Sequence, residues 1–248
     1  MKTTLLIAFC LVTFSAYAQN YGTPPPPPDE GNMADAWGSR YFHFGLNITP
    51  GVYWVSPNSS NTAANGASFG FGYGANMEFY FTPNYAFLTG FELTNIYAKY
   101  NRSYSNPSTN ALDSTITHVE SLQYLELPFE LKLKTVPFRN VRYYGVIGLD
   151  IGFLLKATDD YNTTVLLNQA YFTTPPEHLY SGNNEDIYSQ TDFFRASLVI
   201  GLGAEYSIAG STALQASLTY NNCFTNLNNT SSNAANIKGI QLMLGVLF

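Results

Sequence analysis

Residues 240–248 have the sequence IQLMLGVLF, in which apolar side chains occupy every second position and the last residue is aromatic. Alternation with a period of two is typical of a β-strand that has one apolar and one polar face. We therefore predict that one face of a strand is formed by Ile240, Leu242, Leu244, Val246 and Phe248.

Seven earlier segments show the same alternation, which brings the predicted number of strands to eight. In these segments Phe, Leu, Ile or Tyr on one face opposes Gly, Ser, Asn, Thr or a charged residue on the other. The segments lie near residues 41–55, 68–81, 86–102, 124–134, 143–153, 192–208 and 214–221. We predict an all-β chain that forms an eight-stranded antiparallel up-and-down transmembrane β-barrel of OmpA or OmpX size.

The connections between these strands alternate between short and long. The short ones are rich in Pro, Asn and Gly and lie at residues 82–85, 136–140 and 209–211. The long ones lie at residues 56–66, 103–116, 158–190 and 225–236. In membrane barrels short turns face the periplasm and long loops face outward. We therefore expect a bacterial outer-membrane location, with both termini in the periplasm and the long loops outside the cell.

The composition favours a membrane over water as the surroundings of the barrel. Only 11% of residues are charged and 16% are aromatic, whereas a soluble domain normally has about 25% charged residues. A soluble lipocalin-like binding barrel is the alternative, because it also alternates, but its apolar face points inward. Its outer face would then carry too few charges for solvation. A net charge of −6 argues against nucleic acid as a partner.

The start of the chain has the pattern of an exported protein. Residues 1–18 are predicted to be a signal peptide, with a basic residue, an apolar run and a small-x-small cleavage pattern. Cleavage between Ala18 and Gln19 would leave residues 19–39, which contain five consecutive prolines and are expected to form an extended periplasmic leader. The outer-membrane β-barrel domain is assigned to residues 40–248. After the signal no apolar run reaches the roughly 18 residues of a spanning helix.

Two strand motifs resemble a known family. Residues 124–128 read YLELP and are followed by LK at 131–132, and residues 201–206 read GLGAEY. The chain resembles the PorT-like outer-membrane β-barrels over residues 41–248. The resemblance implies an eight-stranded barrel. Some members of this family serve protein secretion systems, so the role of an accessory to a secretion complex is one expectation. The end of the last strand also resembles the signal read by the barrel assembly machinery, with Leu244, Val246 and Phe248 as the residues concerned.

Nine charged residues are predicted to point into the barrel from the polar faces of the strands. An eight-stranded barrel encloses a lumen that side chains can fill, so a diffusion pore is not expected. We predict that these side chains form a paired structural network, because an isolated buried charge is costly; the alternative is a proton or ion path. The nine are Glu78, Glu92, Glu126, Glu130, Lys132, Lys134, Asp150, Arg195 and Glu205.

No constellation of residues predicts catalysis. His43, His118 and His178 are the histidines, and Ser114 or Ser121 lies near His118 in sequence, but no third orienting group is evident. Acidic residues in the long connection 158–190 could offer oxygen ligands to calcium, but their spacing matches no known calcium loop. We therefore predict no enzymatic activity, no cofactor and no metal, with a small lipid-modifying enzyme or hydrolase as the alternative.

The function predicted from the sequence is a structural or interaction role at the cell envelope. A rigid barrel that carries long polar loops separates scaffold from recognition. The expected partners are outer-membrane lipid, the barrel assembly machinery and, as a possibility, proteins of the envelope or of a secretion complex.

Overall fold

The structure is a computed structural model that describes residues 41–105, 112–165, 181–228 and 235–248. The predicted signal peptide, its cleavage position and the whole leader fall within residues 1–40, outside the described residues. The strands are β1 (Phe42–Pro57), β2 (Thr62–Ala64), β3 (Ala67–Thr82), β4 (Tyr85–Ser105), β5 (Leu112–Lys134), β6 (Val141–Val165), β7 (Ser181–Asp186), β8 (Phe194–Ala209), β9 (Thr212–Cys223) and β10 (Ala235–Leu247).

All the strands except β2 and β7 form a closed antiparallel barrel. Neighbouring strands are hydrogen-bonded in the order β4-β3-β1-β10-β9-β8-β6-β5, and β5 pairs with β4 to close the ring. At the seam between β1 and β10, Phe44 and Phe248 exchange two backbone hydrogen bonds of 2.8 and 3.4 Å. Closure leaves no barrel strand with an unpaired edge. The predicted eight-stranded antiparallel barrel is confirmed.

The barrel strands place apolar side chains outward and polar side chains inward. On the outer surface Leu202 is 75% exposed and Phe69 is 61% exposed, whereas Glu78 and Lys132 in the lumen are fully buried. A soluble barrel has the opposite arrangement, with its apolar face inside. The lipocalin-like alternative is therefore wrong.

The last strand has the face predicted from its sequence. The side chains of Ile240, Leu242, Leu244 and Phe248 are exposed on the outer surface, and Val246 is half-buried on the same face. Between them Gln241 and Leu247 are buried inside the barrel. These outer side chains add to a continuous apolar band.

Short turns join strands at one end of the barrel. They lie at residues 83–84, 135–140 and 210–211, as the sequence predicts. Arg139 and Gly210 adopt left-handed φ angles of 57° and 56°, a conformation common in tight turns. We call this end the turn end and the opposite one the loop end. Among the described residues no helix is long and apolar enough to cross a membrane.

At the loop end the sequence-based prediction of loops is partly wrong. Residues 112–116 belong to β5 and residues 158–165 to β6, although both stretches were predicted to be loop. Two extra strands also form there, since β2 pairs with β4 and β7 pairs with β6. We call the resulting structure the loop-end sheet. It consists of β2, residues 99–105 of β4, 112–121 of β5, 158–165 of β6, and β7.

Candidate functional site

The inward side chains of β5 change character from the turn end to the loop end. Every second residue of β5 faces the lumen, so this strand contributes a side chain to each level of the lumen from one end to the other. Two basic residues come first, followed by two acidic residues, two large apolar or aromatic residues, and finally an acidic residue and a histidine. In order they are Lys134, Lys132, Glu130, Glu126, Tyr124, Leu122, Glu120 and His118, with the half-buried Pro128 between the two acidic residues Glu130 and Glu126. Each pair belongs to a different layer of the lumen.

The layer nearest the turn end is a group of buried, paired charges, which we call the ionic layer. It contains Glu78, Tyr80, Lys132, Lys134 and Glu205. Lys132 Nζ lies 2.5 Å from Glu78 Oε1 and 2.6 Å from Glu205 Oε1. Lys134 Nζ lies 3.0 Å from Glu78 Oε2 and 2.8 Å from Glu205 Oε1. Each ammonium group thus contacts both carboxylates, and the buried Arg142 lies opposite Glu205 in the register of β6 and β8.

Aromatic side chains complete the ionic layer. The Tyr80 hydroxyl donates a hydrogen bond of 2.5 Å to Glu78 Oε2, and Lys132 Nζ lies 4.0 Å from the centre of the Tyr144 ring. The side chains of both lysines and of Glu78 have no exposed surface. A buried pair is tolerated only when its geometry and hydrogen bonds are good, and both conditions are met here.

The next layer, the acidic cavity, has an excess of negative charge. Four carboxyl groups surround a cavity of 70 Å³, those of Glu92, Glu126, Glu130 and Asp150. The Arg195 guanidinium donates to Glu126 Oε1 in a short hydrogen bond. Glu92, Glu130 and Asp150 form no ion pair with any described residue. The predicted paired network is therefore incomplete in this layer.

An apolar layer separates the acidic cavity from the loop end. Its buried side chains come from β1, β4, β5, β6 and β10, so the layer extends across the lumen. Tyr53 lies at its centre, with its ring against Gly70 and Gly239, where a Cβ atom would overlap the ring. The Tyr53 hydroxyl accepts a hydrogen bond of 2.6 Å from Gln241 Nε2. The layer consists of Tyr53, Val55, Ile96, Ala98, Tyr100, Leu122, Tyr124, Leu154, Ala157, Leu227, Ala235 and Ile237.

Beyond the apolar layer, the inner face of the loop-end sheet carries a histidine and two carboxylates. His118 Nδ1 lies 2.6 Å from Asp159 Oδ2, and the ring of Tyr100 stacks on His118 with centroids 5.0 Å apart. The Tyr100 hydroxyl donates a short hydrogen bond to Glu120. Within the described part of the chain, His118 Nε2 has no hydrogen-bond partner. A carboxylate on one ring nitrogen fixes the tautomer and orientation of an imidazole.

The serine and histidine combinations considered from the sequence do not form. Ser121 is an odd-numbered residue of β5, so its side chain lies on the face opposite to His118. Ser114 shares the face of His118 but lies four residues away, about 13 Å along an extended strand. His43 lies in the lumen beside Tyr80, with ring centroids 5.0 Å apart. His178 lies outside the described residues.

The acidic residues of the predicted long connection are spread over two strands where the structure describes them. Asp159 and Asp160 lie on β6, and Glu185 and Asp186 lie on β7, whereas Glu177 lies outside the described residues. In the described ranges no three His, Cys, Asp or Glu side chains come together as metal ligands. Cys223 is buried and has no disulfide partner there.

Asp159 was placed in a loop by the sequence, and its partnership with His118 was missed. The pairing of β5 with β6 sets Glu120 opposite Asp159 and His118 opposite Tyr161. This register depends on a bulge near Gln123, which no sequence signal indicates. The alternation of β5 could have identified Glu120 as an inward residue, since it shares the parity of Tyr124.

The closed barrel, its apolar outer face and its polar lumen agree with a comparison against known families. The model of the outer membrane protein beta-barrel domain matches residues 17–229. The chain belongs to this family. It is therefore an outer-membrane β-barrel protein, and its apolar band faces lipid.

Solved structures with a similar fold include other outer-membrane barrels. Neisserial surface protein A, NspA, is 14% identical, with 82% of this chain and 95% of that chain covered and a TM-score of 0.39. Ail of Yersinia pestis is 12% identical, with 83% of this chain and 98% of that chain covered and a TM-score of 0.31. The outer membrane protease OmpT of Escherichia coli is 10% identical, with 84% of this chain and 96% of that chain covered and a TM-score of 0.49. No curated protein matches the sequence.

Proposed function

We propose that this outer-membrane barrel is a non-conducting, non-enzymatic scaffold that presents the loop-end sheet outside the cell as an interaction surface. Both termini would then lie in the periplasm with the turn end. The loop-end sheet is the observation that carries the proposal, because it extends two pairs of barrel strands into an ordered surface rather than a set of loops.

The outer face of the loop-end sheet is suited to contact with a protein. Asn101 Oδ1 accepts hydrogen bonds of 3.0 Å from both Thr117 Oγ1 and Asn65 Nδ2, so polar side chains link β4 and β5. Asp160 and Asn162 are exposed on the neighbouring strand. Paired strands fix these groups in position, which lowers the entropy cost of binding.

Within this function, we propose the more specific role of a PorT-like accessory to a protein secretion complex. The YLELP and GLGAEY motifs support it, and both lie in the barrel wall on β5 and β8. A complex of this kind would contact the loop-end sheet, the apolar band or the leader.

The orientation can be tested with cysteine labelling, because the native Cys223 is buried. Asn162→Cys on the loop-end sheet and Arg139→Cys at the turn end form a matched pair of exposed positions. A bulky maleimide added to intact cells should label Asn162→Cys and should label Arg139→Cys only after the outer membrane is permeabilised. The opposite labelling would refute the proposed topology.

The interaction role can be tested by photo-crosslinking in cells. A photoreactive amino acid at Asn162 should give discrete adducts with envelope proteins, whereas one at Leu202 on the apolar band serves as the control for random collisions in the membrane. Adducts that are identical at both positions would contradict the role of the loop-end sheet. Steady ion-selective channels from the purified barrel in planar bilayers would contradict the non-conducting lumen.

One observation favours hydrolysis as a second candidate function. The imidazole of His118 is held by Asp159 at Nδ1, and its Nε2 is buried without a hydrogen-bond partner among the described residues. A general base needs an unbonded nitrogen of this kind, which must then be reached by water or substrate. Lipase, protease and lipid A deacylation assays would test it. Activity that is lost in His118→Ala but kept in Thr117→Ala, on the opposite face of β5, would establish an enzyme and overturn the first proposal.

A further inference from the structure

The carboxyl group of Glu92 in the acidic cavity is surrounded by hydrogen-bond donors. Asn47 Nδ2 donates to Oε2 at 3.0 Å, and Oε1 accepts from Thr94 Oγ1 at 3.2 Å and, in a shorter bond, from Thr49 Oγ1. Hydrogen-bond donors on both oxygens stabilise the ionised form of a carboxylate. The surroundings of Glu92 are therefore built for a negative charge.

The backbone opposite Glu92 makes room for this carboxylate. A Cβ atom at Gly72 would overlap both Glu92 Oε1 and Thr49 Oγ1. Any larger residue at position 72 would displace the group or its donor. The close approach of β3 thus fixes the carboxylate at the wall of the cavity.

The protein supplies no counter-charge for Glu92. Arg195, the cation of this layer, donates to Glu126, and Glu92 forms no ion pair within the described ranges. Thr94 Oγ1 also donates to Glu126 Oε2 at 2.8 Å, so the two carboxylates share one hydroxyl. An uncompensated charge in the barrel interior is costly, and a cation from solution would remove that cost.

Polar groups without partners also line the same cavity. Asn76 is 6% exposed, and neither its Oδ1 nor its Nδ2 has a hydrogen-bond partner among the described residues. The Oδ1 atoms of Asn47 and Asp150 also lack partners there. Buried amide groups are normally hydrogen-bonded. A ligand or water in the cavity would satisfy these atoms.

The chemistry of these groups limits the ligand to a hard cation of low charge. Carboxylate and amide oxygens suit alkali and alkaline-earth ions. Ca²⁺ requires six to eight oxygens, and among the described residues the four carboxyl groups that line the cavity do not converge on one point as metal ligands. A monovalent ion needs fewer protein ligands and can keep water in a cavity of 70 Å³.

We propose that the acidic cavity binds a partly hydrated alkali metal cation, with the Glu92 carboxylate and the amide oxygens of Asn47 and Asn76 as its protein ligands. The ion neutralises Glu92 and joins the inner faces of the neighbouring strands β1, β3 and β4. Binding to the folded barrel alone makes stability depend on the concentration of this cation.

The experiment uses Tl⁺, which substitutes for K⁺ and scatters X-rays anomalously. Crystals of the full-length barrel grown with thallous acetate should show an anomalous peak beside Glu92. The peak should disappear in Glu92→Gln and remain in Glu120→Gln, which changes a buried carboxylate on the other side of the apolar layer. A missing peak in the wild type, or a peak that persists in Glu92→Gln, would overturn the proposal.

A solution measurement covers the case in which Glu92→Gln does not fold. The urea midpoint of the refolded wild type should rise with KCl but not with N-methylglucamine chloride of equal ionic strength. Asn76→Ala, which keeps all the carboxylates, should shift the half-saturating KCl concentration upward by about tenfold, as expected for loss of one ligand to a charged group. Equal effects of both salts on the wild type, or an unchanged half-saturation in Asn76→Ala, would reject the site.

Discussion

Replacement of Lys132 by Met should destabilise the barrel through the carboxylates left behind in the ionic layer. The ammonium group of Lys132 contacts Glu78 at 2.5 Å and Glu205 at 2.6 Å, and its side chain has no exposed surface. Without it, one cation, Lys134, remains within contact distance of two carboxylates. Loss of one partner from a buried ion pair costs about 3–5 kcal/mol. We expect a decrease of this size in the free energy of unfolding.

A second substitution separates the charge effect from the loss of packing. In Lys132→Met/Glu78→Gln the remaining Lys134 and Glu205 balance each other, so the cost should fall to about 1–2 kcal/mol, since replacing both members of a buried pair is often nearly neutral. Lys156→Met changes an exposed lysine and should stay within about 0.5 kcal/mol of the wild type.

Urea unfolding of the barrel refolded into lipid vesicles would measure these differences. Trp54, which stacks near Tyr220 on the outer surface, provides a fluorescence signal, and the shift of heated against unheated protein in gels reports the folded fraction. A Lys132→Met barrel within about 1 kcal/mol of the wild type would refute the reasoning, as would a double variant no more stable than the single one.

Two further predictions concern the apolar layer and the seam. Gly70→Ala should lower the free energy of unfolding by about 1–3 kcal/mol through overpacking, because the added Cβ would overlap the Tyr53 ring. In the control Gly145→Ala the added Cβ meets no atom closer than 3.8 Å, so this variant should be tolerated. Comparing the urea midpoints of the two variants tests the prediction. Phe248→Ala keeps both backbone hydrogen bonds to Phe44, so the urea midpoint of the refolded barrel should change little. The yield of assembled protein in cells should fall by a larger fraction. Equal losses in both measurements would contradict an assembly signal.

The strands and their faces could be predicted from the sequence because they depend on local alternation. In β3, for example, Phe69, Phe71 and Tyr73 alternate with glycines, and the structure exposes those aromatic rings. The loop-end sheet was missed for the same reason. Residues such as Thr115, Thr117 and Asn162 differ little in polarity from their neighbours, so their strands carry no amphipathic signal.

The layers of the lumen could not be predicted because their contacts join strands that are distant in sequence. Glu126 binds Arg195, which lies 69 residues further along the chain, and Lys132 contacts Glu78 54 residues before it. The sequence gives the direction of each side chain but not the register that decides which of them meet. Nine inward charges therefore looked like one network, although they occupy two layers with different balances of charge.

The order of the layers determines from which end an ion could enter the acidic cavity. On the loop-end side the cavity is bounded by the apolar layer, where Tyr53 and Leu122 are almost completely buried and offer no ligands to a cation. On the turn-end side it is bounded by the ionic layer, whose lysines repel cations but whose carboxylates attract them. Exchange through the turn end should therefore dominate. Lys132→Met/Glu78→Gln should bind Tl⁺ faster than the wild type at similar affinity, because it breaks the Lys132–Glu78 contact that holds the entrance together and leaves Glu92 unchanged. The binding rate can be measured from the quenching of a fluorophore attached at the turn end. Equal rates for the variant and the wild type would show that entry does not pass through the ionic layer.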